Sequence, residues 1–127
     1  MAIPAPTDGE MAILRVLWSR GPSTVRQVHE ALHGERKVGY TTILKMLQIM
    51  REKGIVSRQD GRRPHIYRPS QEPAVVQDGL VSALIRKAFG GSATSLVMRA
   101  LSARTPSSEE LRDIRNLLDA IEPGAEE

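Results

Sequence analysis

The residues best equipped for chemistry are His29, Glu30 and His33, in the run His29-Glu30-Ala31-Leu32-His33. On a helix, H-E-x-x-H sets two imidazoles on one face, spaced to share a zinc ion, with the glutamate as general base. Glu52, 19 residues beyond His33, falls near where many zinc peptidases carry a third ligand. The surroundings argue against that chemistry. The same short helix must turn Val25, Val28 and Leu32 inward, which leaves both imidazoles at the edge of the apolar stripe, half exposed. Only 28 residues precede the motif, too few for the sheet that forms a peptidase cleft. His65 is the one other histidine, there is no cysteine, and neither a G-x-S-x-G elbow nor a phosphate-loop glycine pattern occurs. No enzyme activity and no cofactor are therefore expected, with a zinc hydrolase on His29, Glu30 and His33 as the alternative to be displaced.

The elements that must position any site begin with Thr7-Asp8-Gly9-Glu10, a capping box that opens a first helix through Met11, Ile13, Leu14, Leu17 and Trp18. Gly21-Pro22 stops it near Arg20. Thr24-x-x-Gln27 is a second capping box, and Gly34 ends the helix it starts. A third helix runs from near Tyr40 to Lys53, with Gly54 as its stop and a core line of Ile43, Leu47 and Met50 flanked by Leu44 and Met46. The period then changes. Ile55–Gln59 and His65–Arg68 read as two short strands around the turn Asp60-Gly61-Arg62-Arg63-Pro64.

Helix, tight turn, helix and hairpin in this order make the winged variant of helix-turn-helix. Opposite the core line, the third helix carries Thr41, Thr42, Lys45, Gln48, Ile49 and Glu52. Lys donates to guanine, Gln pairs with adenine, and Thr offers a hydroxyl and a methyl to thymine. Arg62 and Arg63 at the hairpin tip, Ser23 and Thr24 at the start of the second helix, and Arg26, Arg51 and Arg58 are the candidate phosphate contacts. Charge distribution agrees: residues 1–70 hold 12 Lys and Arg against 6 Asp and Glu, and residues 71–127 hold 6 against 9, so a balance of +6 meets one of −3. A basic half is a candidate for a polyanion.

Pro69-Ser70-Gln71-Glu72-Pro73 marks the expected boundary between residues 1–70 and 71–127. Beyond it, Val76, Leu80, Leu84 and Ala88 form one stripe and Val81, Ile85 and Phe89 a second beside it. Ala93, Leu96, Val97, Ala100 and Leu101 form the next helix, and Leu111, Ile114, Leu117, Leu118 and Ile121 the last, opened by the box Ser107-Ser108-Glu109-Glu110. Three short helices with this much apolar face are too few to bury themselves. The expectation is a homodimer held by Leu80, Leu84, Ile85, Leu96, Val97, Leu101, Leu111, Ile114 and Leu118; folding back on the N-terminal part is the alternative. No run of about 18 apolar residues exists, Met1–Pro6 does not read as a signal peptide, and the absence of cysteine fits a reducing, cytoplasmic setting.

The stretches "AILRVLWSRGPSTVRQVHEAL", "VGYTTILKMLQIMREKGIVSR" and "RRPHIYRP" resemble the BlaI/MecI family of penicillinase repressors, and the likeness continues through "GSATSLVMRALS" and "SSEELRDIRNLLD". The resemblance implies a mainly α, dimeric winged-helix repressor with a three-helix C-terminal dimerisation domain. It implies palindromic TACA/TGTA-type operators of β-lactamase-type or cell-envelope stress genes. It also implies derepression by a membrane sensor of the BlaR/MecR type with a zinc-peptidase domain, which cleaves the C-terminal domain. Where the family's cleaved bond is typically Asn-Phe, this chain carries Arg99-Ala100. The clustered C-terminal cysteines of related copper-responsive repressors have no counterpart, and Ile49 stands where many relatives have a basic residue. A winged helix that binds a protein and no DNA is the remaining alternative.

Overall fold

The computed structural model describes residues 5–34, 37–61 and 63–122. Their order is α1 (Asp8–Arg20), α2 (Val25–Leu32), α3 (Tyr40–Lys53), β1 (Val56–Gln59), β2 (Ile66–Pro69), α4 (Pro73–Ala88), α5 (Ala93–Ala103) and α6 (Ser108–Ile121). The expected mainly α fold, a winged helix-turn-helix followed by three helices, is the fold present.

Each boundary has a local cause. Capping boxes form at Thr7–Glu10, Thr24–Gln27 and Ser107–Glu110, each satisfying two backbone N–H groups that the helix start leaves open. Gly54, at φ 82°, ends α3 in the left-handed region, and its N–H returns to the carbonyls of Met50 and Arg51. The chain then turns directly into β1. The α3 start differs: Gly39 is its N-cap and supplies no side-chain bond.

The core of the first unit joins Ile13, Leu14 and Leu17 of α1 to Val25, Val28 and Leu32 of α2 and to Ile43, Leu47 and Met50 of α3, with Ile55, Val56 and Tyr67 closing it from the hairpin side. Met11, Trp18, Leu44 and Met46 pack around this centre, half-buried. Full burial of one such aliphatic side chain contributes about 1.5–3 kcal/mol. β1 and β2 pair antiparallel, with Val56 opposite Pro69 and Gln59 opposite Ile66. Two further bonds extend the sheet. Ser23 N–H donates to the Tyr67 carbonyl at 2.9 Å, and Tyr67 N–H returns to the Ser23 carbonyl at 2.8 Å. The linker between α1 and α2 is thereby an added bridge on the hairpin.

A charged pair bridges α1 and α3. The Glu10 side chain is 6% exposed, and its Oε2 accepts from Lys53 Nζ at 2.8 Å, tying the start of α1 to the end of α3. Its other oxygen accepts from Thr7 N–H at 3.0 Å. Burial pushes the Glu10 carboxyl up, but the Lys53 ammonium and the Thr7 bonds outweigh it and hold the group below its ordinary value of 4.5.

Contacts divide the chain into two compact units, one reaching Ser82 and one starting at Ala83. The division falls inside α4, past the boundary expected after Ser70. Trp18 Nε1 donates to the Gln71 carbonyl at 3.0 Å, which holds the linker to the first unit. In the second unit and in α4 as a whole no described residue is fully buried. Leu84, Val97, Leu118 and Ile121 are 46%, 51%, 58% and 70% exposed. No described helix is long and apolar enough to cross a membrane.

Because the Glu10 value is depressed on folding, its contribution is complete above pH 4.5 and is lost as pH falls through the lower folded value. Glu10→Gln is expected to cost about 2 kcal/mol at neutral pH and to flatten the acid limb of stability. Chemical denaturation followed by circular dichroism over a falling pH series checks this; an acid limb identical to that of the native chain would contradict it.

Candidate nucleic-acid interface

The α3 face opposite Ile43, Leu47 and Met50 is open. Thr41, Thr42, Lys45, Gln48 and Ile49 are all exposed, Ile49 at 38%. The row follows from helix geometry: at about 100° per residue these positions share the side turned away from the core. Its exposed Ile49 among polar neighbours is the kind of apolar contact a thymine methyl accepts.

Two shallow depressions flank this row. A groove of about 460 Å³ is lined by Thr24, Val25 and Arg26 of the α2 start, Tyr40 and Leu44 of α3, and Arg63, Pro64, His65 and Tyr67 of the hairpin. The α2 start contributes donors there. Gln27 N–H is satisfied by Thr24 Oγ1 at 3.2 Å and Val28 N–H by the Thr24 carbonyl at 3.0 Å, so the N–H groups of Val25 and Arg26 precede the first intrahelical bond. Arg26 and Arg63 are exposed and, with Lys45, make no ion pair among the described residues. Arg62 lies outside the described residues.

Three expected contacts are placed differently. Ser23 is 1% exposed, its Oγ donates to the Gly21 carbonyl at 2.8 Å, and its backbone is engaged with Tyr67. Its hydroxyl is therefore engaged inside the fold, where the sequence expected it open to a phosphate. Arg51 Nη2 lies 3.3 Å from Asp60 Oδ2, and Arg58 Nε donates to Asp60 Oδ1 at 2.8 Å. Both guanidiniums are thus shared with a wing carboxylate, which sequence reasoning treated only as half of an Asp-Gly turn.

The histidine pair sits in the second depression, of about 500 Å³, with Arg26, Glu30 and Tyr40. The two rings stand 5.6 Å apart, and His29 meets the Tyr40 ring edge-on at 6.1 Å. His33 falls just past the end of α2, as its C-cap. Among the described residues, no group of three or more His, Cys, Asp or Glu is placed to hold a metal ion. Tyr40, at 47% exposure, borders both depressions and was missed as a site residue. Its position directly before Thr41-Thr42 was the available signal.

The penicillinase repressor family model matches residues 6–120. The chain is 34% identical over 119 residues to the transcriptional regulator BlaI of Mycobacterium tuberculosis, covering 92% of this chain and 85% of that protein. It is 21% identical to the penicillinase repressor of Bacillus licheniformis, covering 92% and 91%. Among solved structures it is similar to the monomeric form of Bacillus licheniformis BlaI in complex with the blaP half-operator, with a TM-score of 0.51 and 23% identity over 57% of this chain and 89% of that one.

If Ser23 is scaffold, Ser23→Ala lowers stability by about 1 kcal/mol and leaves the salt dependence of duplex binding unchanged. Thermal melts beside salt-titrated binding isotherms read both; a shallower salt slope at native stability would restore Ser23 as a phosphate contact.

Proposed function

The chain belongs to the penicillinase repressor family, and from that premise we propose that it is a sequence-specific, DNA-binding transcriptional repressor that acts as a homodimer on palindromic operators of TACA/TGTA type. The observation that carries this reading is the open row of Thr41, Thr42, Lys45, Gln48 and Ile49 on α3, flanked by Arg26 and Arg63, which make no ion pair among the described residues. Those five side chains read base edges in the major groove. Thr24, Arg26, Arg62 and Arg63 hold phosphates on either side, and they set register without setting sequence. Arg51 joins them once it leaves Asp60.

Residues 1–70 are assigned to DNA binding and residues 71–127 to dimerisation. The support for the second assignment is chemical. Leu80, Leu84, Val97 and Leu118 are exposed, and Ile85, Leu96, Leu101, Leu111 and Ile114 only half-buried. Exposed apolar side chains in this number are unfavourable in water, and where they gather they mark an interaction site. A second copy covers it with the same residues, as two-fold symmetry requires. Two α3 helices then meet half-sites about 10 bp apart, or a multiple of that spacing.

Release from DNA is assigned to the C-terminal helices, with β-lactamase-type or envelope-stress genes as the class controlled. A membrane sensor with a peptidase domain is the proposed trigger. The Arg99-Ala100 bond lies within α5 with both residues exposed. A peptidase needs an extended strand, so α5 must unwind before that bond is cut.

Lys45→Ala and Gln48→Ala are each expected to cost about 1–3 kcal/mol on the cognate palindrome and to relax base preference, whereas Arg63→Ala weakens all duplexes alike and lowers the salt slope by about one unit. Fluorescence anisotropy on palindrome and point-altered duplexes separates the two behaviours. Base preference altered by Arg63→Ala at an unchanged slope would reverse the assignment of helix and wing. Leu84→Asp is expected to shift the chain toward monomer in sedimentation, and a dimer that survives it would move the interface elsewhere.

A further inference from the structure

We propose that Asp60 is an internal phosphate surrogate: in the free protein its carboxylate occupies the place on Arg51 that a DNA phosphate takes in the complex, so that binding exchanges one ion pair for the other. This rests on the duplex-binding reading above.

The geometry is that of a shared anion. Asp60 divides its two oxygens between two guanidiniums, Oδ1 at 2.8 Å from Arg58 Nε and Oδ2 at 3.3 Å from Arg51 Nη2. An ionised carboxylate only accepts, as a phosphate does, and both suit an arginine fork. Two cations around one anion leave the cluster with a net positive charge, ready for a second anion. The Arg58 bond holds the Asp60 carboxyl below its ordinary value, so it is ionised in the working range of the protein.

The two halves of the cluster are unequal. Arg58 is 21% exposed and bonded at the shorter distance, whereas Arg51 and Asp60 are 42% and 56% exposed at the longer one. An exposed pair of that kind is cheap to break. Arg51 is also well placed for the exchange. On the α3 wheel it lies beyond Gln48, on the same flank as Tyr40 and Leu44, which face the hairpin across the groove. A backbone held between recognition helix and wing passes that flank. The Arg51–Asp60 contact must give way for it, while Arg58 keeps the carboxylate on the wing.

The consequence is a uniform handicap. Asp60 opposes every duplex by the same factor, whatever its sequence, because the exchanged partner is a phosphate. Base reading by Lys45 and Gln48 is untouched, and loose binding to arbitrary DNA is held down.

Asp60→Asn removes the charge and keeps the shape, and Asn-Gly serves the same hairpin turn as Asp-Gly. The full-length variant is expected to bind the palindrome and a scrambled duplex more tightly by the same factor, about threefold to tenfold at low salt, with a steeper slope against log salt, because screening of the Arg51–Asp60 pair narrows the difference as salt rises. In an Arg51→Ala background the substitution is expected to lose most of that gain. Equal or weaker binding by Asp60→Asn at an unchanged slope, in a protein with native melting temperature, would overturn the inference and leave Asp60 as a wing brace. A gain that persists in full without Arg51 would overturn it also. If the native chain itself binds neither duplex at low salt, the DNA-binding reading falls first, which is a separate and distinguishable result.

Discussion

The reciprocal pair of backbone bonds between Ser23 and Tyr67 is the constraint on which the interface depends. A two-stranded hairpin alone is marginally stable in water. Here the linker between α1 and α2 supplies an extra bridge to β2, and the Tyr67 side chain, 1% exposed, is sunk into the core beneath it. That one junction fixes three things together: where the wing starts, where α2 begins, and how far both stand from α3. The groove between them is lined by residues from all three elements because all three meet there. Loss of the Tyr67 side chain would therefore disturb the groove, whereas loss of the Ser23 hydroxyl, which donates to the Gly21 carbonyl, leaves the backbone pair with Tyr67 in place.

Around this junction the basic residues divide by what holds them. Lys53 is spent on Glu10 inside the fold, Arg58 and Arg51 share Asp60, and Arg26, Lys45 and Arg63 face outward with no ionic partner among the described residues. A net positive balance of residues 1–70 does not distinguish these three groups; only geometry does. It follows that the electrostatic footprint is smaller than the raw charge, and that one part of it is released on contact.

Much of this was legible in the sequence. The helices, their capping boxes and the core line Ile43, Leu47 and Met50 follow from apolar period and from Thr, Gln, Glu and Gly at fixed offsets, all of which act over a single turn. The exposed row on α3 follows from the same wheel. What was not legible is non-local. Ser23 reads as a helix-start hydroxyl, and nothing within a few residues reveals that its backbone pairs with Tyr67. Asp60 reads as a turn residue, since its partners Arg51 and Arg58 come together only when the hairpin folds onto α3. H-E-x-x-H is legible as letters, but what the letters do not show is that the helix ends at Leu32 and leaves His33 as its C-cap. The Trp18–Gln71 bond was equally hidden, because it joins two residues far apart in the chain.

The open row of α3 is proposed to read a palindrome in a two-chain complex. The most direct measurement is titration of the purified chain onto a fluorescent TACA–TGTA palindrome and onto a scrambled duplex of the same length, at several salt concentrations. Saturation at two chains per palindrome, with affinity orders of magnitude above that for the scrambled duplex, is the result this structure leads us to expect. Equal, weak and salt-sensitive binding to both duplexes, or no binding at low salt, would contradict it.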